Sequence, residues 1–133
     1  MIEYYGWISL SNSTYESDDV NMASILDKVA IFISERKMEK DPGLIKSHNY
    51  NGLYQLLFSG CRNHLSQDFI DILELYGYIA VIAQGSYGLL YLRNDENIDA
   101  SNEFEVFVLS RGQVIKSKDP FLSPCIPTIE DGE

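Results

Sequence analysis

Alternation governs the first ten residues. In Ile2–Leu10, IEYYGWISL, Ile2, Tyr4, Ile8 and Leu10 fall on one side of an extended chain, with Glu3, Tyr5, Trp7 and Ser9 on the other, which predicts a strand. Both sides carry apolar or aromatic groups. The turn-rich SNSTYESDD follows and ends in Asp18 and Asp19, carboxylates that suit the positive end of a helix dipole. Met22, Ile25, Leu26, Val29, Phe32 and Ile33 then recur at helical spacing, predicting a first helix that stops at Asp41-Pro42-Gly43.

Between two strand-like runs, residues 44–50 and 53–61, stands Asn51-Gly52, a dipeptide that readily takes the positive φ of a tight hairpin turn. Ser66 is placed to cap a second helix with Phe69, Ile70, Leu73 and Tyr76 inward, Asp68, Asp71 and Glu74 toward water, and its end at Gly77. Four strand signals follow: YIAVIA (78–83), YGLLYLR (87–93), FEVFVLS (104–110) and QVIKS (113–117). The predicted order is β-α-β-β-α-β-β-β-β. Short turns force antiparallel neighbours, so the expected fold class is α+β, a largely antiparallel sheet of six to seven strands with two helices on it. A single domain over 1–133 is expected, with a proline-rich tail (118–133) lying against the body through Phe121, Leu122 and Ile126 and fraying at its acidic end.

Candidate chemistry alters this picture little. In QGSYG (84–88) the serine stands between glycines, but a nucleophile elbow needs glycine where Gln84 stands and a helix after the serine. A strand follows instead, so Gly85 and Ser86 read as a hairpin turn in which Gly85 supplies an unusual backbone angle. Cys61 and His64, with His48 and Cys125, make at most one close ligand pair, where structural zinc sites show two. Cys61 reads as a small buried thiol, and His64 as a hydrogen-bonding residue between strand and helix. Asp95, Glu96 and Asp99 lack the glycine and terminal glutamate of a calcium loop. The expectation is therefore no metal and no cofactor. An enzymatic alternative is a small hydrolase or transferase using His64 with Cys61, or Ser86, in a concave pocket.

Charge is more informative. The chain carries 20 acidic and 10 basic residues, a net charge of −10, which disfavours any phosphate backbone as ligand. The imbalance sits in the second half: residues 1–66 hold 8 acids and 6 bases, residues 67–133 hold 12 acids and 4 bases. Such a field attracts basic proteins, though it equally serves solubility. The start lacks a basic region and the longest apolar run, Tyr78–Ala83, has six residues, so a cytoplasmic protein without signal peptide or membrane span is expected. Tyr5 and Trp7 are placed either on a sheet face left open by the two helices, as interface anchors, or beneath the tail.

Five segments, EYYGW, GCRNH, GSYGLLYLRNDE, FEVFVLSRG and DPFLSPCIPTIED, resemble in order and spacing the immunity protein 7 family of bacterial polymorphic toxin systems. The resemblance spans nearly the whole chain. It implies a non-catalytic α+β protein, encoded beside a toxin, that binds the toxin's C-terminal domain in the producing cell. Gly6, Trp7, Gly85, Gly88, Gly112 and Pro120, which bear the resemblance, read as scaffold. Many such toxins are nucleases with basic clefts, so the acidic loop Asp95, Glu96 and Asp99, with Glu103 and Glu105, becomes the candidate toxin-binding surface. The acidic side of the second helix, Asp68, Asp71 and Glu74, is the other.

Overall fold

The alternation of the first strand sets the architecture. In the computed structural model, which describes residues 1–12, 19–40, 45–50 and 52–124, the order is β1 (Ile2–Leu10), α1 (Asp19–Glu35), a 3₁₀ turn (Met38–Lys40), β2 (Ile45–Tyr50), β3 (Leu53–Arg62), α2 (Gln67–Ile82), β4 (Tyr87–Asn94), β5 (Glu105–Ser110) and β6 (Gln113–Lys118). The strands form one six-stranded sheet, β2-β3-β1-β4-β5-β6. Every neighbouring pair is antiparallel. The chain is thus α+β, with the antiparallel sheet and two helices expected from the sequence.

Register fixes the two faces. Gly6 stands opposite Phe58 of β3 and Leu90 of β4, so even-numbered residues of these three strands share a face. On it Ile2, Tyr4, Ile8 and Leu10 join Leu56, Phe58, Leu90, Leu92, Phe107 and Leu109 in one buried cluster. Phe69, Ile72, Leu75, Tyr76 and Ile79 of α2 and Ile25 and Val29 of α1 complete it. Each such side chain contributes about 1.5–3 kcal/mol by leaving water. The buried Tyr76 hydroxyl donates to the Leu89 carbonyl at 2.8 Å and, more weakly, to that of Trp7 at 3.4 Å. It reaches two sheet carbonyls because Gly6 leaves room: a Cβ there would sit 2.5 Å from the Tyr76 oxygen.

Three expectations about α2 are corrected. The helix does not end at Gly77, and Tyr78–Ala83 is not a strand but its last turns and C-cap. Ile72, Leu75, Tyr76, Ile79, Ala80 and Ala83 are all buried at helical spacing, and a six-residue apolar run cannot by itself distinguish strand from helix. Gly77, inside the helix, is an open position that costs about 1 kcal/mol relative to alanine. Ile70, expected inside, is exposed, whereas Asp71, expected toward water, is buried. Ser66 is the N-cap residue, but its side chain makes no capping bond.

The turns divide similarly. Gly52 takes φ 83° at the β2–β3 hairpin, as expected, while Asn51 lies outside the described residues. Arg111 (φ 54°) and Gly112 (φ 74°) together make the left-handed pair of a tight β5–β6 hairpin. Gly85 is no such residue. It lies between a helix and a strand, its N–H donates to the Asn12 carbonyl at 2.7 Å, and a Cβ would press on that oxygen at 2.9 Å. α1 ends at Glu35, before Asp41-Pro42-Gly43, with Lys37 at φ 55° just beyond; Asp18 and residues 41–43 lie outside the described set. Of the tail, Phe121 and Leu122 are exposed rather than packed, and residues 125–133 lie outside the described set. Asp119 fastens the tail instead, accepting bonds from the Phe121 and Leu122 amides and the Ser123 hydroxyl, which in turn accepts one from the Phe104 amide.

Candidate functional site

The acidic candidates separate by their partners. On α2, Asp68 pairs with Arg62, and Asp71 and Glu74 both pair with Arg36, which also lies 4.5 Å over the Phe32 ring. Gln67 adds a bond to Asp71. The hydrogen bond that Arg36 donates to Glu74, with the charges of Glu74 and Asp71, raises the Arg36 pKa above its usual value. Three carboxylates thus face two guanidinium groups, and Asp71 and Glu74 serve to dock α1 on α2.

The β4–β5 loop retains more of its charge. Asp95 binds the Met1 ammonium at 2.6 Å, an interaction that raises the pKa of that ammonium. Glu96 meets His64 at 2.5 Å and the same ammonium at 3.8 Å. Glu105 pairs with Lys116 at 3.1 Å. Asp99 and Glu103 are exposed and make no ion pair among the described residues. The loop is held by successive turns, Asn97 to Asn94, Ala100 to Asn97 and Glu103 to Ala100. Arg93 anchors it to the sheet, bonding Glu3 with its Nε and the Ser101 carbonyl with its guanidinium. The backbone of this loop is therefore held in place, and it leads into Phe104, which meets Tyr5 and Tyr91 on the second face of the sheet.

Among the described residues no helix lies over that second face. Tyr5, Trp7, Leu57, Tyr87, Leu89 and Tyr91 share it by register. Tyr5 and Tyr87 are 48% and 49% exposed and Leu57 38%, values far outside a core. Trp7 is half-buried, edge-on to Tyr87 with ring centres 5.9 Å apart. Phe104, at the foot of the acidic loop, lies edge-on to Tyr91 at 5.8 Å and tilted to Tyr5 at 6.4 Å. Burial and the nearby Glu3 carboxylate raise the Tyr5 phenol, keeping it a neutral donor. A groove of about 630 Å³ runs between Tyr5, Gly6, Trp7, Gln55, Leu57, Phe58, Ser59 and Tyr91. Tyr5 and Trp7 stand on the face opposite the two helices, and the tail beyond residue 124, the other placement considered for them, lies outside the described residues. Sequence reasoning missed Leu57, Tyr87, Tyr91 and Phe104, although the period-2 rule applied to β3 and β4 as to β1 marks the first three.

Ser86 is buried, accepting a bond from the Ser11 amide at 3.0 Å and donating to its carbonyl at 3.2 Å, so its hydroxyl ties β1 to the α2–β4 turn. Cys61, expected buried, is exposed because its odd position in β3 puts it on the open face. His64 is engaged by Glu96 rather than by a nucleophile. Among the described residues no group of three or more His, Cys, Asp or Glu side chains is arranged to hold a metal, and Cys125 lies outside them. No helix among the described residues is long and apolar enough to cross a membrane.

The sequence matches the family model described as immunity protein 7 over residues 1–131. No curated protein and no solved structure matches it. With the match covering all but the last two of its 133 residues, the chain belongs to the immunity protein 7 family and is an immunity protein of a toxin system.

Proposed function

We propose that this immunity protein neutralises a cationic toxin domain, of the nuclease kind, by covering its substrate cleft with the open sheet face and the acidic loop beside it. The observation that carries this reading is the adjacency of the open-face rings, exposed Tyr5 and Tyr87 with half-buried Tyr91, to the acidic loop in a chain of net charge −10. Rigid aromatic side chains are efficient anchors at interface centres, and a charged rim orients the encounter. A cleft built to grip phosphate has the opposite sign to this surface. Attraction between the two raises association toward about 10⁸ M⁻¹s⁻¹, fast enough to capture a toxin before it acts on the producing cell's cytoplasm.

Asp99 and Glu103 have the leading electrostatic role, since the other carboxylates of the loop have internal partners. The α2 acids, Asp68, Asp71 and Glu74, are subordinate because Arg36 and Arg62 already answer them. Co-expression with the toxin domain encoded beside the chain is the test. Growth restored by the wild-type chain supports the reading, and continued killing with soluble, folded chain present refutes it. Charge reversal at Asp99 and Glu103 then slows association by about tenfold and flattens its salt dependence.

A further inference from the structure

The groove on the open face has a chemistry of its own. Its walls bring together a phenol ring from Tyr5, the indole of Trp7, a second phenol from Tyr91 and the aliphatic side chain of Leu57, with the polar residues Gln55 and Ser59 also in the lining. No charged residue belongs to its described lining. Aromatic faces carry negative electrostatic potential and attract a cation placed over them, arginine more often than lysine. A planar guanidinium both stacks on such rings and donates to several oxygens at once. The surrounding field has the same preference: the chain is at −10 and the acidic loop begins where Phe104 meets Tyr5 and Tyr91. Within this molecule the same contact already operates, Arg36 lying 4.5 Å over Phe32.

We infer that the groove between Tyr5, Trp7, Leu57 and Tyr91 receives an arginine side chain of the bound toxin, held by the rings and by the side-chain oxygen of Gln55. This rests on the proposed function in taking the partner to be cationic, but it assigns a chemical identity to the group at the centre of the interface. A nuclease cleft uses arginine to hold phosphate, so seating one here removes a substrate ligand from the toxin as well as covering the site.

Trp7 is the single tryptophan of the chain and lines the groove, so its fluorescence reads the site directly. The probe is capped arginine amide titrated into the full-length protein at about 0.15 M ionic strength, with capped citrulline amide as the neutral isostere. Expected is saturable quenching by arginine with half-saturation at about 10 mM and at least tenfold weaker binding of citrulline. Leu57→Lys, which puts a competing cation at an exposed rim position, abolishes the arginine response while thermal melting stays unchanged. Tyr91→Leu weakens it. Equal responses to arginine and citrulline, or no response to either, overturn the inference. So does an arginine response that survives Leu57→Lys in a folded protein. Because the titration contains no toxin, its failure leaves the co-expression result standing, and a failed co-expression leaves a positive titration standing.

Discussion

The two faces of the sheet are built from the same alternating strands and nearly the same residue types, yet only one is a core. On the even-numbered face of β1, Ile2, Tyr4 and Ile8 are fully buried beneath α2. On the odd-numbered face, Tyr5 is half exposed and Trp7 half buried, with no helix opposite among the described residues. Hydrophobic content therefore does not distinguish the faces. What does is the supply of covering elements: both helices pack on one side, α2 against the sheet and α1 against α2 through Arg36, Asp71 and Glu74. An apolar surface left exposed in this way is characteristic of an interaction site.

Substitutions can break this comparison, beginning with the largest effect. Ile8→Ala on the covered face is expected to cost about 2–5 kcal/mol in urea unfolding, through lost burial and a residual cavity. Leu57→Ala on the open face, with 38% exposure, should cost less than about 1 kcal/mol yet weaken toxin binding. Equal stability losses at the two positions would erase the distinction between the faces. Next, Gly6→Ala forces the Tyr76 hydroxyl away from the sheet and is expected to cost about 1–3 kcal/mol.

A smaller effect is read from pH. Burial raises the Tyr76 pKa well above its ordinary value of about 10. The unfolded chain thus releases this proton first as pH rises, so stability falls above about pH 10, by up to about 1.4 kcal/mol per pH unit from this group. Tyr76→Phe should remove that slope and cost about 1 kcal/mol at neutral pH, as the difference between wild-type and variant urea curves measures. The smallest effect is on the acid side. Burial alone would raise the Asp119 carboxyl, but the Phe121 and Leu122 amides and Ser123 hold it below its ordinary value. Its stabilisation is present above the unfolded pKa of about 3.9 and lost as pH falls through the lower folded value. The advantage of wild type over Asp119→Asn should therefore be full at neutral pH and shrink below about pH 4.

Local pattern carried much of this architecture. β1, α1, the Asn51-Gly52 hairpin region and the last three strands follow from periodicity and turn chemistry, because each is a choice the residues make with near neighbours. The continuation of α2 past Gly77 was not legible, since an apolar run of six residues suits either structure until the sheet shows which side it covers. Asp71 was misplaced for a related reason: a carboxylate in a helix reads as solvent-facing unless its partner is known, and Arg36 stands 35 residues away. Tyr5 and Trp7 could be marked as candidate anchors from their phase in β1. Their companions Leu57, Tyr87, Tyr91 and Phe104 come from three other stretches of chain, and the groove exists only when register brings those strands together.

Hydroxyl-radical footprinting of the complex with the cognate toxin tests the central claim most directly. The account predicts that Tyr5, Trp7, Leu57, Tyr87 and Tyr91 lose reactivity on binding while exposed helix residues such as Ile31, Ile70 and Val81 keep theirs. Protection of the helix residues with the open-face rings as reactive as in the free protein would contradict it.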